Sequence, residues 1–253
     1  MLFSLVFFCF SLVVFWLVLR VDPEKISVRK LSSVDSVCES VEIAAESGRP
    51  IIFCSGLTGV GPLLYAVYAV LAKVAKLAKN LDVKIILPQN NPVAIALAER
   101  LLEEQVGFKS AGKGDLVSIA FLSEEQFAYA SGYIGLARRE NVAAAILLGA
   151  FAGEALILAE VGKTQGAFQV GGSINPEQLA FFIATCDDVV LGEEIYALSG
   201  YLNQDKVLRA NLLSSDILKV ALLVLIILGS AVASFAGYFD LSFSLAQLLD
   251  LKY

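Results

Sequence analysis

Between Ser32 and Asn203, short apolar runs alternate with longer amphipathic stretches. The runs are Ile51–Cys54, Val83–Leu87, Leu116–Leu122, Val142–Leu148, Ala167–Val170 and Asp188–Leu191. Their length and their β-branched content predict strands. Leu63–Asn80, Pro92–Val106, Glu124–Glu140, Gly153–Thr164, Pro176–Cys186 and Glu193–Asn203 have helical length and spacing. A further helix, Val34–Ser47, precedes the first strand and stops at Gly48. Near-continuous apolar strands alternating with helices predict a parallel sheet covered on both faces. Right-handed crossovers make such a sheet doubly wound. The expected fold class is therefore α/β, with a mostly parallel, Rossmann-like sheet of about six strands.

Punctuation agrees with this pattern. Pro62, Pro92 and Pro176 fall at first helical positions, where a missing N–H costs little. Ser123 with Gln126 three residues later resembles a capping box. Leu63–Asn80 is apolar nearly all round, apart from Lys73, Lys76 and Lys79 on one stripe. Such a helix needs cover on most sides, from its own domain or from an oligomer partner.

Two uncharged runs flank this region, Leu2–Leu19 and Val220–Phe239. Each is long enough to cross a bilayer, and the first lacks the basic start and small-residue cleavage site of a signal peptide. Arg20, Lys25, Arg29 and Lys30 follow the first run, and Lys206, Arg209 and Lys219 precede the second. By the positive-inside rule, the expectation is a two-span cell-membrane protein, its α/β domain cytoplasmic and both termini outside. The chain then divides into a transmembrane helix (1–20), a juxtamembrane segment and helix (21–49), the Rossmann-like domain (50–205), a linker and second transmembrane helix (206–239), and a tail (240–253). Gly229, Ala233 and Gly237 recur every four residues and would let another transmembrane helix approach closely.

Composition narrows the chemistry. The 253 residues are 57% hydrophobic and 17% charged, which excludes a disordered chain. Histidine is absent, so no Ser-His-Asp or Cys-His nucleophile pair and no imidazole zinc site can form within the chain. Cys9, Cys38, Cys54 and Cys186 are scattered, a spacing of reduced thiols rather than a disulfide framework. A net charge of −6 argues against a nucleic-acid partner. From Glu140 to Glu194, acids outnumber Lys163 alone, a stretch suited to docking a basic partner.

Ligands of such sheets bind beyond the C-terminal strand ends. There the chain carries Ser55-Gly56-Leu57-Thr58-Gly59-Val60-Gly61-Pro62, whose glycines permit close backbone approach before a helix N-terminus. The spacing is not GxGxxG, and Pro88-Gln89-Asn90-Asn91 stands where a dinucleotide fold places an acid. Gly162-Lys163-Thr164 closes a helix instead of opening one, so it is no phosphate loop, and Ser110 with Lys113 lacks any supporting motif. The candidate ligand-binding residues are Ser55, Gly56, Thr58, Gly59, Gly61, Asn91, Gly153, Glu154, Gly172, Ser173, Asn175, Glu193 and Glu194. The acids among them could serve a metal or acid–base chemistry, but acids in a helix's first turn also complement its dipole. No catalytic or metal-ligating residue and no cofactor is assigned.

The segments GLTGVGP (Gly56–Pro62), GAFAGE (Gly149–Glu154), NPEQLAFF (Asn175–Phe182) and LGEEIYALSGYL (Leu191–Leu202) resemble an uncharacterised bacterial membrane-protein family, domain of unknown function number 6754. The resemblance covers most of the chain from about Pro50. It implies an α/β domain held by flanking transmembrane helices and supplies no activity. Three readings follow: a membrane-anchored binding and assembly module, as a homo-oligomer; a sensor or enzyme taking a nucleotide or small polar metabolite at the strand ends; or a subunit of a larger membrane complex.

Overall fold

The computed structural model describes residues 31–107, 116–203 and 206–238, together with 11, 13, 14 and 16. The chain forms two compact units, Arg29–Gln204 and the combined segments Met1–Val28 and Asp205–Tyr253.

The first unit runs α1 (Ser32–Ser47), β1 (Ile51–Gly56), α2 (Pro62–Leu81), β2 (Ile85–Gln89), α3 (Pro92–Val106), β3 (Val117–Phe121), α4 (Gln126–Glu140), β4 (Ala144–Ala150), α5 (Glu154–Thr164), β5 (Phe168–Ser173), α6 (Pro176–Thr185), β6 (Asp188–Leu191) and α7 (Glu194–Asn203). The strands form one sheet in the order β3-β2-β1-β4-β5-β6, and every pairing is parallel. This is the order of doubly wound, Rossmann-like sheets, with its reversal between β1 and β4.

Alternation along the strands builds a core on each face. Ile51, Phe53, Ile85, Leu87, Ile146 and Leu148 pack under α1, α2, α3 and α7. Their neighbours Ile52, Cys54, Ile86, Ala145 and Leu147 pack under α4, α5 and α6. Each fully buried Ile or Leu here contributes about 1.5–3 kcal/mol relative to exposure. The apolar helix α2 lies at the centre of its layer, against α1, α3 and α7. Its cover comes from its own domain. Lys79 leaves its exposed end to donate to the Val106 carbonyl, 2.9 Å, at the end of α3.

Helix α4 begins later than the capping-box reading placed it. Ser123 Oγ accepts from Glu125 N (3.0 Å), and Gln126 reaches across to Glu154 instead of back to Ser123. Four strands also extend past their apolar runs. β1 takes in Ser55 and Gly56, β2 Gln89, β4 Gly149 and Ala150, and β5 Gly171 to Ser173.

The acidic run from Glu140 to Glu194 does not make one face. Glu140 stands at the end of α4 with Lys84 (3.0 Å) and Arg139 (3.1 Å), whose hydrogen bonds hold its carboxyl below the usual range. Glu154 is buried at the opposite end of the sheet.

In the second unit, α8 (Lys206–Tyr238) is the long helix, and Val14 packs with Ala210 and Leu213. Among the described residues, no helix is long and apolar enough to cross a membrane. That finding corrects the expectation of two transmembrane helices and of a two-span cell-membrane location. The first part of α8 carries Lys206, Arg209, Asp216 and Lys219. The uncharged part of the helix begins only after these residues, at Val220. Leu2–Leu19 lies outside the described residues except at positions 11, 13, 14 and 16, as do Ser110, Lys113 and the tail 240–253. Within the proposed packing stripe, Gly229 has nothing within 4 Å of where a Cβ would stand. Of Ala233 and Gly237 only the helical backbone is described.

Close approach at the sheet's reversal point gives a direct test. Gly56 has φ +62°, and a Cβ there would meet Ala150 O at 2.5 Å and the Phe151 ring at 2.7 Å. Gly48 has nearly the same φ, +64°, with open space around it. Gly56→Ala should cost about 2–5 kcal/mol in urea unfolding, from conformational strain plus overpacking. Gly48→Ala should cost only the strain, about 1–2 kcal/mol. Equal losses would contradict the close packing.

Candidate functional site

Beyond the reversal between β1 and β4, consecutive connections leave for opposite faces, and a crevice forms in folds of this kind. Here β1 feeds α2 on one face and β4 feeds α5 on the other. The two connections are bonded to each other. Leu57 N donates to Ala150 O (3.0 Å), and Ala150 N donates to Thr58 Oγ1 (2.8 Å). The Thr58 hydroxyl in turn donates to Ser55 O. A Cβ on Gly149 would collide with Ser55 O and Thr58 Oγ1, so the glycine permits this contact. Phe151 is fully buried next to Gly56, edge-on to Phe182 with centroids 5.2 Å apart. The two connections thus close on each other through Thr58 and the neighbouring backbone, with Phe151 in the core beneath them.

The remaining candidate residues divide by environment. Ser55 is buried and shares hydrogen bonds of 3.4–3.5 Å with Gln89, which also accepts from Tyr68 (3.2 Å). Glu154 is fully buried, where its carboxylate accepts from Ala152 N (3.0 Å) and Gln126 Nε2 (2.7 Å). Gly153 precedes it at the start of α5. Asn175 Nδ2 donates to Phe151 O (2.6 Å), and Asn175 N donates to Ser173 Oγ (3.1 Å). These groups meet around the β4 connection. Elsewhere, Asn91 caps α3 by accepting from Val93 N (2.8 Å), and Glu194 accepts from Leu191 N (3.1 Å). Gly172 sits where a Cβ would crowd Val190 and Leu148. Glu193 is exposed at the start of α7. Gly59 and Gly61 border open space. Among the described residues, no three His, Cys, Asp or Glu side chains are placed to hold a metal ion.

Sequence reasoning missed a second buried cluster. Cys54 Sγ lies 3.1 Å from Tyr129 OH, which also donates to Pro88 O (3.3 Å). Burial pushes the Cys54 thiol up to about 11 and the Cys186 thiol up to about 12, and raises the Tyr129 and Tyr133 hydroxyls too. Such thiols stay protonated and are poor nucleophiles. The apolar setting of Cys54 within Ile51–Cys54 was the available signal.

A third feature is the surface around the crevice. Beyond β1 stand exposed Val60 and Tyr65, beyond β2 Val93, and at and beyond β3 Phe121 and Phe127. Leu156, Ile174 and Leu191 continue the series on the β4 to β6 side. Among the described residues of this unit, the exposed large apolar side chains outside the strand-end pole are Leu81 and Ile183. No Lys or Arg occupies any strand-to-helix connection there, or the first two turns of the helix that follows. Glu124, Glu125, Glu177 and Glu193 do, and all four are exposed. The described connections therefore offer a phosphate backbone N–H groups without an Arg or Lys beside them.

Strand order and crossover place the unit among doubly wound, Rossmann-like α/β domains. The chain belongs to the family described as Domain of unknown function (DUF6754), which matches residues 1–243. Comparison with curated proteins and with solved structures gives no match. The four segments that carry the resemblance each begin at a strand end, and Leu191–Leu202 runs on along α7.

Two outcomes test this geometry. Thr58→Val keeps the shape but strands the Ala150 N–H, and should cost about 1–2 kcal/mol in denaturant unfolding, whereas Thr58→Ser should retain most of it. Because the Cys54 thiol is raised in the folded state from its ordinary value near 9, its contribution is complete below pH 9 and lost as pH rises toward about 11. Cys54→Ala should therefore flatten the alkaline fall in stability, and an unchanged slope would contradict the burial argument.

Proposed function

We propose that the domain works by docking another protein, as an assembly module, and that the strand-end pole is its docking surface. One observation carries this reading: large apolar side chains are concentrated on the pole where the fold normally takes a ligand, with Phe127 67% and Tyr65 56% exposed. Contiguous exposed apolar surface on a folded domain marks interaction sites. Aromatic anchors of this kind dominate binding energy at protein interfaces.

The alternative of a nucleotide or polar metabolite at the strand ends has less support. Most of the polar candidates there are engaged within the chain: Thr58 with Ser55 and Ala150, Glu154 with Ala152 and Gln126, and Asn175 with Phe151. An assembly role as a complex subunit fits better than one as a pole-to-pole homodimer. A two-fold pairing sets the same patch against itself. Glu124 and Glu125 of each copy would then share one interface with no Lys or Arg from the pole to offset them.

The test is site-directed photocrosslinking of the full chain in its native cells. A photoreactive phenylalanine analogue at position 127 should give a discrete heterologous adduct, and the same residue at position 139, at the far end of α4, should give none. Absence of adducts at 127, or equal adducts at both positions, would contradict the reading.

A further inference from the structure

Resting on that docking reading, we infer that the partner presents a cationic amphipathic segment, Lys- or Arg-bearing and apolar on one side, to the corner of the pole formed by β2 and β3. Strands β2 and β3 are neighbours, with Gln89 opposite Phe121, so the end of β2 lies beside the start of the stretch Phe121-Leu122-Ser123-Glu124-Glu125-Gln126-Phe127, while Val93 opens α3 on the opposite face of the sheet from α4. Leu122 N donates to Gln89 O (2.9 Å), which ties this stretch to the end of β2. Phe121, Val93 and Phe127 are each more than half exposed, and exposed Glu124 and Glu125 stand between the two phenylalanines in the chain.

The chemistry of this corner selects the occupant. Its apolar side chains recover free energy only when another apolar surface covers them. Exposed carboxylates in the same short stretch as exposed aromatic rings suit guanidinium or ammonium groups, which can pair with acids and lie against ring faces. The nearest cations on the following helices are Arg100, in the third turn of α3, and Arg138, in the last turn of α4. Among the described residues of the two connections and the helix turns that follow them, the corner holds negative charge without a Lys or Arg beside it. An acidic segment, or a second copy of this corner, would meet repulsion instead.

The probe is a pair of synthetic amphipathic helical peptides with one apolar pattern, the first with Lys and Arg on its polar positions and the second with Glu. Binding to the full chain is followed by fluorescence anisotropy. The cationic peptide should bind at least about tenfold more tightly than the acidic one, and more weakly as salt screens the charges. Glu124→Gln with Glu125→Gln should weaken it by about threefold to tenfold. Phe127→Ser should remove most of the binding. Glu103→Gln with Glu104→Gln, at the far end of α3, should leave it unchanged, and circular dichroism checks that each variant is folded. Equal affinity for both peptides, or equal loss from the 103/104 and 124/125 pairs, would overturn the inference. If crosslinking at position 127 succeeds while the cationic peptide shows no preference, the partner's charge is wrong and the docking reading stands. If neither gives a signal, the docking reading itself fails.

Discussion

The two hydrogen bonds that join the β1 and β4 connections, Leu57 N to Ala150 O and Ala150 N to Thr58 Oγ1, set what the rest of this domain can do. A doubly wound sheet leaves a crevice at its reversal because successive helices depart to opposite faces. In this chain the two connections close on each other there through Thr58 and backbone hydrogen bonds. Gly56 and Gly149 serve the contact, since a side chain at either position would strike the opposite connection. Glycines that elsewhere let a backbone approach pyrophosphate here let one backbone approach another.

With the two connections closed on each other, the polar residues of the pole become structural. Glu154 is buried, yet its carboxylate takes two hydrogen bonds that hold the β4 connection to α4. Asn175 ties the β5 connection to Phe151, and Ser55 joins Gln89 and Tyr68 in a buried network. Buried polar groups with partners rigidify their surroundings. The outward side of the pole carries apolar and acidic side chains on a rigid base, an arrangement suited to recognition by surface contact.

Much of the architecture was legible in the sequence, because strands buried on both faces read as unbroken apolar runs and the prolines and Gly48 mark helix ends. What hid was at the strand ends. Ser55, Gln89 and Ser173 look like loop residues, yet they extend the strands, since partners within the fold satisfy their side chains. The apolar helix Leu63–Asn80 left domain core and oligomer interface open, a choice that depends on which helices flank it. Periodicity cannot show that α1, α3 and α7 do so. The Gly-rich turn was readable as a site of close approach, but not what approaches it. The reading of two membrane spans rested on hydropathy, flanking cations and a family resemblance, and the described helices do not support it. Exposed phenylalanines beside buried ones of the same composition, Phe127 against Phe151, could be separated only by the fold.

The most direct measurement of the central claim is residue-resolved hydrogen exchange at the Leu57 and Ala150 amides of the full chain, alone and with nucleotides added. If the crevice is sealed from within, both amides exchange as slowly as that of Ile146 in the middle of β4, and ATP or NAD leaves them unchanged. Exchange at these two amides far faster than at Ile146, slowed by an added nucleotide, would contradict the account and show an open crevice that a ligand closes.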